Sequence, residues 1–553
     1  MRARRHNSYD TPGWVALPSS LLVAALFFIP LLATLKGAVT SGTLLSSLRD
    51  PYIQKTLSFT IWQAFLSTLA SLAIGLPGAW IMATFKFPGK RLVRAVSTVP
   101  YVLPSILVVL GFVIFYGNNG ILNRALMTLT RISEPPLHIL YSLKAIILAH
   151  AFYNFPLVMN LVSTAWSHQD PHPAQAALTL GASRWRVFCT ITLPNLASMV
   201  VSSAILVFLY CYNSFSIILV LGGGPARTTL ETEIYRYAKI TLQPDKAAAM
   251  ALISLVVALA FLVLYLCVSR LFSQPDEVSS AVRTNAKAPK GLAAVAIYAF
   301  SFLAILFVLG PIVSVIWRSF TNKASLAGGN TFSLKWYKQL FGITQANGTM
   351  GIAQDALVHS LAIALACALC SIPTSLSLVV AMRKKSMATS LLELFCMLPL
   401  AVSSVIIGLG YLFIATRLRI VGYPMVVLAH LVIAIPVCIR TLLPEARRFP
   451  QHYIDAAHTL GANSWKCFWT VELPLLRGSL ITGVAFAFAM SLGELNATLT
   501  LAGRSIRTLP MVMYQLIESY NYQGACALGT ILILASLLVF WLDEQLRGRE
   551  SLL

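Results

Sequence analysis

The chain has 553 residues, of which 57% are hydrophobic and only 11% are charged, and its mean hydropathy is +0.76. Soluble domains carry about 25% charged residues, so the composition excludes an ordinary soluble protein and indicates one that crosses a membrane many times. The net charge of +22 comes from Lys and Arg scattered between apolar runs. No basic domain exists that would bind a phosphate backbone, so no nucleic-acid partner is expected.

The N-terminus is basic, with Arg2, Arg4 and Arg5, and continues into an apolar run from Trp14 to about Leu35. A secretory signal peptide is the alternative interpretation. Its apolar core would be shorter and would be followed closely by a small-residue cleavage site. We therefore predict a retained first membrane helix whose basic end is cytoplasmic.

Further apolar runs of spanning length follow on both sides of one polar stretch, residues 273–290. These runs, with the first helix, predict about twelve membrane helices, six in each half. We predict a first unit of residues 1–270, a cytoplasmic linker at 271–290 and a second unit of residues 291–553. The runs are 57–84, 93–116, 141–165, 197–219, 246–268, 291–317, 357–382, 390–415, 423–443, 478–500 and 524–542.

The two halves are repeats of one another. Residues 173–194 align without a gap with residues 453–474, at a spacing of 280, and residues 100–111 match 399–410 at a spacing of 299. Such repeats indicate a duplicated fold. An even number of spans separates the two copies, which predicts parallel repeats related by an axis along the membrane normal. The identical positions in the first pair include Ala176, Ala177, Gly181, Ala182, Trp185, Phe188, Leu193 and Pro194, which recur as Ala456, Ala457, Gly461, Ala462, Trp465, Phe468, Leu473 and Pro474.

Basic loops give the predicted orientation. Lys and Arg cluster at 86–94 and at 383–385, on the same side as the N-terminus if the helices alternate. By the positive-inside rule this side is cytoplasmic. Both termini and both repeated stretches are then expected in the cytoplasm.

We call the repeated stretches the first repeat loop, about 170–195, and the second repeat loop, about 450–475. Asp170-Pro171 is a good start for a helix, and Gly181 allows the chain to turn without a Cβ penalty. A second short helix would carry Trp185. The sequence therefore predicts a helix, a turn and a helix on the inner face of the membrane. One such loop could serve packing alone, but two equivalent copies on one side favour docking to a two-fold partner.

Polar residues within the apolar runs suggest a path or gate for a solute. Glu494 lies in an apolar run, where a carboxylate is costly and is functional by default. An ion pair, or a position near the outer water, is the alternative. The repeat spacing makes Ser214 the counterpart of Glu494. Asn213 lies beside Ser214, and Asn496 lies near Glu494. His150 and His430 form a symmetric pair, which is more often structural.

Enzymatic motifs are missing from the sequence. There is no G-x-x-x-x-G-K-[ST] phosphate loop, so the chain is not expected to hydrolyse ATP. Cys367 and Cys370 have redox spacing but lie within an apolar run, without a thioredoxin-like context. No nucleophile or metal constellation supports an intramembrane enzyme, and we predict neither catalytic residues nor a metal site.

The pattern Ala-Ala, Gly-Ala, Leu-Pro in both repeat loops resembles the cytoplasmic coupling loop of ATP-binding-cassette (ABC) importer permeases, with two permease units fused. The resemblance implies an all-α type I ABC importer permease fold in the bacterial cytoplasmic membrane. It also implies that a helix of each loop lies in a groove of an ATPase subunit. At the position of the family's leading Glu, this chain has Gln175 in the first loop and Asp455 in the second. A salt bridge to the ATPase is therefore expected only from the second loop. The implied coupling residues are Gln175, Ala176, Ala177, Gly181, Ala182, Asp455, Ala456, Ala457, Gly461 and Ala462.

Further motifs resemble the fused permeases for ferric iron and thiamine. They are Leu221–Pro225, Trp62–Phe65 and Arg507–Pro510, while Leu148–Pro156 and Tyr116–Gly120 favour thiamine. The implied function is inward movement of a small cationic solute by alternating access. A partner ATPase pair would bind ATP and Mg, an extracytoplasmic solute-binding protein would deliver the solute, and this chain would hold no cofactor. The rival is an ion-coupled secondary transporter with internal repeats, in which the coupling loops would have no task.

Overall fold

The computed structural model describes residues 16–40, 42–101, 103–271, 288–323, 330–342, 353–384, 386–420, 422–448, 451–503 and 506–548. Within these ranges the regular structure is helical except for one antiparallel pair of strands, Thr321–Lys323 with Asn330–Phe332. The prediction of an all-α fold is confirmed. The basic N-terminal residues and most of the predicted linker lie outside the described residues.

Among the described residues, 11 helices are long and apolar enough to cross a membrane, and a twelfth span results if one helix pair bent by 89° is counted. This agrees with the predicted number. The spans are Leu17–Val39, Pro51–Thr84, Ser105–Thr130, Leu143–Ser167, Arg184–Tyr212, Pro244–Val268, Leu292–Ser319, Ala353–Met382, Tyr423–Arg448, Trp465–Gly493 and Tyr522–Leu546, and the bent pair is Met387–Ala401 with Ser404–Leu418. Shorter helices are Thr43–Arg49, Lys90–Thr98, His172–Thr179, Ser216–Leu221, Leu230–Tyr235, Lys335–Leu340, Gln451–Thr459, Asn496–Leu501 and Leu509–Glu518.

The predicted continuous run at 93–116 is wrong. Lys90–Thr98 is a separate amphipathic helix that buries Val93 and Val96, and the spanning helix begins only at Ser105. Pro100 and Pro104 lie between the two helices. Proline lacks an N–H and disfavours a helical conformation in the residue before it, so these two prolines favour an interruption here, although single prolines such as Pro77 and Pro156 lie within continuous helices. Hydropathy alone does not register this interruption.

The chain forms two compact units that do not follow the two halves of the sequence. One unit contains the described residues within 1–37, 335–519 and 528–553, and the other contains those within 38–334 and 520–527. The first helix of each half therefore belongs to the unit built mainly from the other half. The division at 1–270 and 291–553 describes the sequence repeat and stays a prediction.

Within its own unit, each of these first helices packs one of its prolines against a glycine of another helix. A Cβ added to Gly111 would lie 3.0 Å from the Pro311 carbonyl oxygen, and one added to Gly410 would overlap the Pro30 carbonyl. The two glycines are 299 residues apart, the spacing of the upstream repeat. Small residues let membrane helices approach closely. The Tyr411 hydroxyl also donates to the carbonyl of Leu26 at 2.8 Å, so this first helix is held by packing and by a hydrogen bond.

We predict that Gly410→Ala lowers the stability of the protein, because the added methyl group has no room beside Pro30. Overpacking of this kind costs about 1–3 kcal/mol. Gly483→Ala is the matched control, since a Cβ there would lie 3.7 Å from its nearest neighbour, Cys438. Thermal unfolding of the detergent-purified variants measures the difference. Equal melting temperatures for the two variants would contradict the packing argument.

Candidate functional site

The two repeat loops have the same local structure. The first contains the helix His172–Thr179 and then Arg184–Val187, and the second contains Gln451–Thr459 and then Ser464–Cys467. The predicted order of helix, turn and helix is therefore confirmed in both copies. The Ser183 hydroxyl accepts from Arg186 N at 3.3 Å, which caps the second helix of the first loop.

Each first helix ends in a hydrogen-bonded turn centred on glycine. Gly181 has φ +84° and Gly461 has φ +83°. In the first loop, Ala182 N donates to Ala177 O at 3.0 Å and Gly181 N donates to Leu178 O at 3.1 Å, and the second loop repeats this pattern. This is a Schellman termination, which favours glycine at the left-handed position. Nothing lies within 4 Å of a Cβ built at either glycine, so backbone conformation, not space, requires glycine here.

The loops expose apolar side chains that the chain does not cover. Leu180 and Leu460 are each 88% exposed, and Trp185 and Trp465 are 74% and 70% exposed. These apolar side chains are available to a partner surface at equivalent positions of both loops. Of the predicted coupling residues, all are exposed or half-buried: Gln175, Ala176, Ala177, Gly181, Ala182, Asp455, Ala456, Ala457, Gly461 and Ala462. They are accessible to a partner.

A π-helical turn connects each loop to the following span. It covers Phe188–Thr192 in the first copy and Phe468–Glu472 in the second. Pro194 and Pro474 lie just beyond these turns, near the start of the next helix. A proline ring clashes with the carbonyl four residues earlier. A locally wider helix, with Leu193 N bonded to Phe188 O five residues back, accommodates that clash and keeps the loop and the span continuous.

Among the described residues, a buried ion pair joins only the second loop to a neighbouring helix. Arg383 donates to Glu472 at 2.9 Å, and both side chains are largely buried. Glu472 ends the π turn, and Arg383 follows the span Ala353–Met382, so the pair joins the loop to a neighbouring helix within its unit. The first half has Thr192 at the position of Glu472. The two loops are therefore attached differently despite their equal shape.

Each span after a repeat loop is interrupted before its apolar run ends. We call residues 213–215 the first helix break and residues 494–495 the second helix break. Leu193–Tyr212 is followed by Ser216–Leu221, and Leu473–Gly493 is followed by Asn496–Leu501, so the short helices are again 280 residues apart. The predicted continuous runs at 197–219 and 478–500 are wrong in this respect. Ser214 and Glu494 occupy equivalent positions in the breaks.

At the second break, polar contacts surround Glu494. Its backbone is extended, with φ −74° and ψ 113°, and its carboxylate accepts from Ala497 N at 2.9 Å. Asn496 donates to the Ser404 hydroxyl at 3.1 Å. The Glu494 side chain is half-buried, and within the described part of the chain it forms no ion pair. The structure thus brings Glu494 and Asn496 together, and the ion-pair alternative is not supported.

The first break has the same arrangement with neutral groups. The Ser105 hydroxyl donates to the Ser216 hydroxyl at 3.0 Å, and these positions are the repeat counterparts of Ser404 and Asn496. Asn213 ends the helix, with its N–H bonded to Leu209 O at 3.0 Å, and both Asn213 and Ser214 are half-buried. The four candidate path residues therefore lie at two equivalent breaks, and only one break carries a carboxylate.

Sequence reasoning missed two buried carboxylates on the short helix Leu230–Tyr235. Glu231 and Glu233 are fully buried. The Ser254 hydroxyl donates to Glu231 at 2.9 Å, and Arg236 donates to Glu233 at 2.8 Å. The hydrogen bond from Arg236 to Glu233 raises the pKa of this guanidinium above its usual value. The sequence feature that could have indicated these buried carboxylates is the presence of two acidic residues in a segment between long apolar runs.

Comparison with known proteins identifies the family. Residues 75–274 and 373–550 match the model of the binding-protein-dependent transport system inner membrane component. The chain belongs to this family. The double match confirms the prediction of a fused, two-unit ABC importer permease, and each matched range contains one repeat loop and one helix break. The first helix of each half lies outside both ranges.

Several relatives resemble the chain over nearly its whole length. The thiamine transport system permease protein ThiP of Escherichia coli is 27% identical over 554 residues, covering 98% of each chain. ThiP of Salmonella typhimurium is 28% identical over 564 residues, again with 98% of each chain. ThiP of Haemophilus influenzae is 27% identical over 514 residues, covering 91% of this chain and 90% of the relative.

We predict that either Arg383→Met or Glu472→Met destabilises the protein by about 3–5 kcal/mol, because each leaves a buried charge without its partner. The double variant should recover most of this loss, since it removes both charges and keeps the volume. Arg448→Ala is the control, because the Arg448–Glu445 pair is exposed and is worth about 1 kcal/mol or less. Thermal unfolding of the four variants tests this. Losses that simply add in the double variant would contradict a coupled pair.

Proposed function

We propose that this protein is the membrane-spanning permease subunit of an ATP-driven thiamine importer in the bacterial cytoplasmic membrane. The observation that carries the proposal is the similarity to ThiP permeases, which extends over 98% of both chains. The identity of the cargo, thiamine, is the more specific part of the proposal. Ferric iron is the alternative, because the sequence motifs are similar in permeases for both.

We propose that a pair of ATPase subunits binds the two repeat loops. Exposed leucine and tryptophan at equivalent positions of both loops support this. The rigid glycine turns would present these side chains in one fixed arrangement. ATP and Mg would bind to the ATPases and not to this chain, and a solute-binding protein would dock on the outer face. In this scheme both termini are cytoplasmic, which an even number of spans and the basic loops support.

We propose that the polar residues of each helix break, taken within its own unit, contact the solute on its way through the protein. ATP-driven closure of the ATPases would change the access of this path from the outer to the inner face. Thiamine is a cation, so a half-buried carboxylate at Glu494 could attract it in a region of low dielectric. Asn496, Asn213 and Ser214 would supply neutral hydrogen-bonding groups. The dependence on a separate ATPase distinguishes this function from that of an ion-coupled secondary transporter.

The loops should differ in their contribution to coupling. We predict that Asp455→Ala weakens association with the ATPase about tenfold, because a carboxylate can form a charge-assisted hydrogen bond. Gln175→Ala, the matched change in the first loop, should have a smaller effect. Co-purification and stimulation of ATP hydrolysis measure both. Equal losses would show that the charge at Asp455 is not used.

The cargo and the path can be tested together. Membrane vesicles containing this chain, its ATPase and its binding protein should accumulate radiolabelled thiamine only with ATP, and should not accumulate radiolabelled ferric iron. Iron uptake without thiamine uptake would reverse the cargo assignment. Uptake driven by an ion gradient in the absence of the ATPase would establish the secondary transporter instead.

In the same vesicles, Glu494→Gln should assemble normally but take up thiamine more slowly, because it keeps the shape of the side chain and removes its charge. Asn521→Asp serves as a control for altered charge on a described residue outside both breaks. Uptake by Glu494→Gln at the unaltered rate over a range of thiamine concentrations would exclude Glu494 from the path.

A further inference from the structure

A buried histidine connects the two sides of the second helix break. His430 lies in the helix Tyr423–Arg448 and is 2% exposed. Its Nδ1 is 2.8 Å from the Ser491 hydroxyl, and its Nε2 is 2.8 Å from the Thr498 hydroxyl. Ser491 is in the last turn of Leu473–Gly493, and Thr498 is in Asn496–Leu501. One imidazole ring therefore holds both helix ends.

The hydrogen bonds have a consistent direction. The Thr498 hydroxyl donates to the backbone carbonyl of Glu494 at 3.1 Å, so it accepts from His430 Nε2–H. A neutral imidazole has one donor and one acceptor, so Nδ1 accepts from the Ser491 hydroxyl. Each ring nitrogen then has a partner, and the chain of hydrogen bonds ends on the backbone of Glu494.

The repeat provides an internal comparison at His150, 280 residues earlier. His150 Nδ1 is 2.9 Å from the Ser67 hydroxyl, on the span Pro51–Thr84 and not on either side of the first break. At the positions of Ser491 and Thr498 the first half has Cys211 and Ile218. Among the described residues His150 Nε2 has no hydrogen-bond partner. A buried histidine is thus common to both halves, but it spans the break only where that break carries a carboxylate.

We infer that His430 is a positioning residue: it fixes the geometry of the second helix break and, through it, the direction of the Glu494 carboxylate. This inference rests on the two short contacts of the His430 ring with the Ser491 and Thr498 hydroxyls, and on the hydrogen bond from Thr498 to the Glu494 carbonyl. His430 acts without touching the solute. The fixing of the break is independent of the proposed solute path, whereas its consequence for transport rests on that proposal.

Hydrogen exchange of the assembled complex, followed by mass spectrometry, tests the first part. His430→Leu removes both hydrogen bonds, and Thr498→Val removes one hydroxyl with little change of shape. Both should speed exchange of the amides at 494–499 about tenfold, the size expected for the loss of a buried hydrogen bond. His430→Gln, which retains a donor and an acceptor, should restore much of the protection. His150→Leu should leave exchange at 494–499 unaltered.

Unaltered exchange at the second break in both His430→Leu and Thr498→Val would overturn the inference. Equal acceleration by His150→Leu would also overturn it, because it would indicate general loosening. If His430→Leu does not assemble, Ser491→Ala and Thr498→Val carry the test, since each removes a single hydroxyl.

Thiamine uptake by the same variants tests the second part. His430→Leu should lower uptake about tenfold, and His430→Gln should restore it. If Glu494→Gln transports at the unaltered rate while Thr498→Val still speeds exchange, the solute path is wrong and the positioning role stands. If Glu494→Gln impairs uptake while exchange is unaltered in the His430 variants, the positioning role is wrong and the path stands.

Discussion

Backbone hydrogen bonding at membrane depth is the constraint on which the rest of this structure depends. Lipid offers no partner to an unpaired N–H or C=O, so a spanning segment can leave the helical conformation only where protein groups replace the lost bonds. At the second helix break the Glu494 carboxylate accepts from Ala497 N and the Thr498 hydroxyl donates to the Glu494 carbonyl. The polar side chains of this break thus maintain the interruption.

The repeat loops, which are expected to lie in the cytoplasm, also satisfy their backbone groups locally. Each first helix ends with its last carbonyls bonded in a glycine turn, and each span resumes through a π turn that accommodates a proline. These backbone solutions are shared by the two halves. These two carboxylates are not shared: Glu494 aligns with Ser214, and Glu472 aligns with Thr192. The two halves share the shape of these helices, while Glu472 and Glu494 occur only in the second half.

The sequence predicted those features that a local pattern determines. Spacing and glycine positions predicted the helices and turns of the repeat loops, and hydropathy predicted the number of spans. The sequence did not predict the interruptions at Pro100 and Glu494, because the apolar run continues across both positions. It did not predict that the first helix of each half joins the other unit, since the Gly410–Pro30 contact joins residues distant in the chain. The burial of Glu231 likewise depends on a distant partner, Ser254, whereas Glu233 pairs locally with Arg236.

The agreement between the two loops extends to side chains that the chain does not bury. Leu180 and Leu460 are exposed to the same extent, and Trp185 and Trp465 nearly so. In the part of the chain that the structure describes, the ion pair between Arg383 and Glu472 has no counterpart at the first loop. Internal packing would keep buried residues alike and leave exposed ones free to differ. The reverse is observed at these positions. This pattern supports the proposal made above that a pair of ATPase subunits binds the two repeat loops.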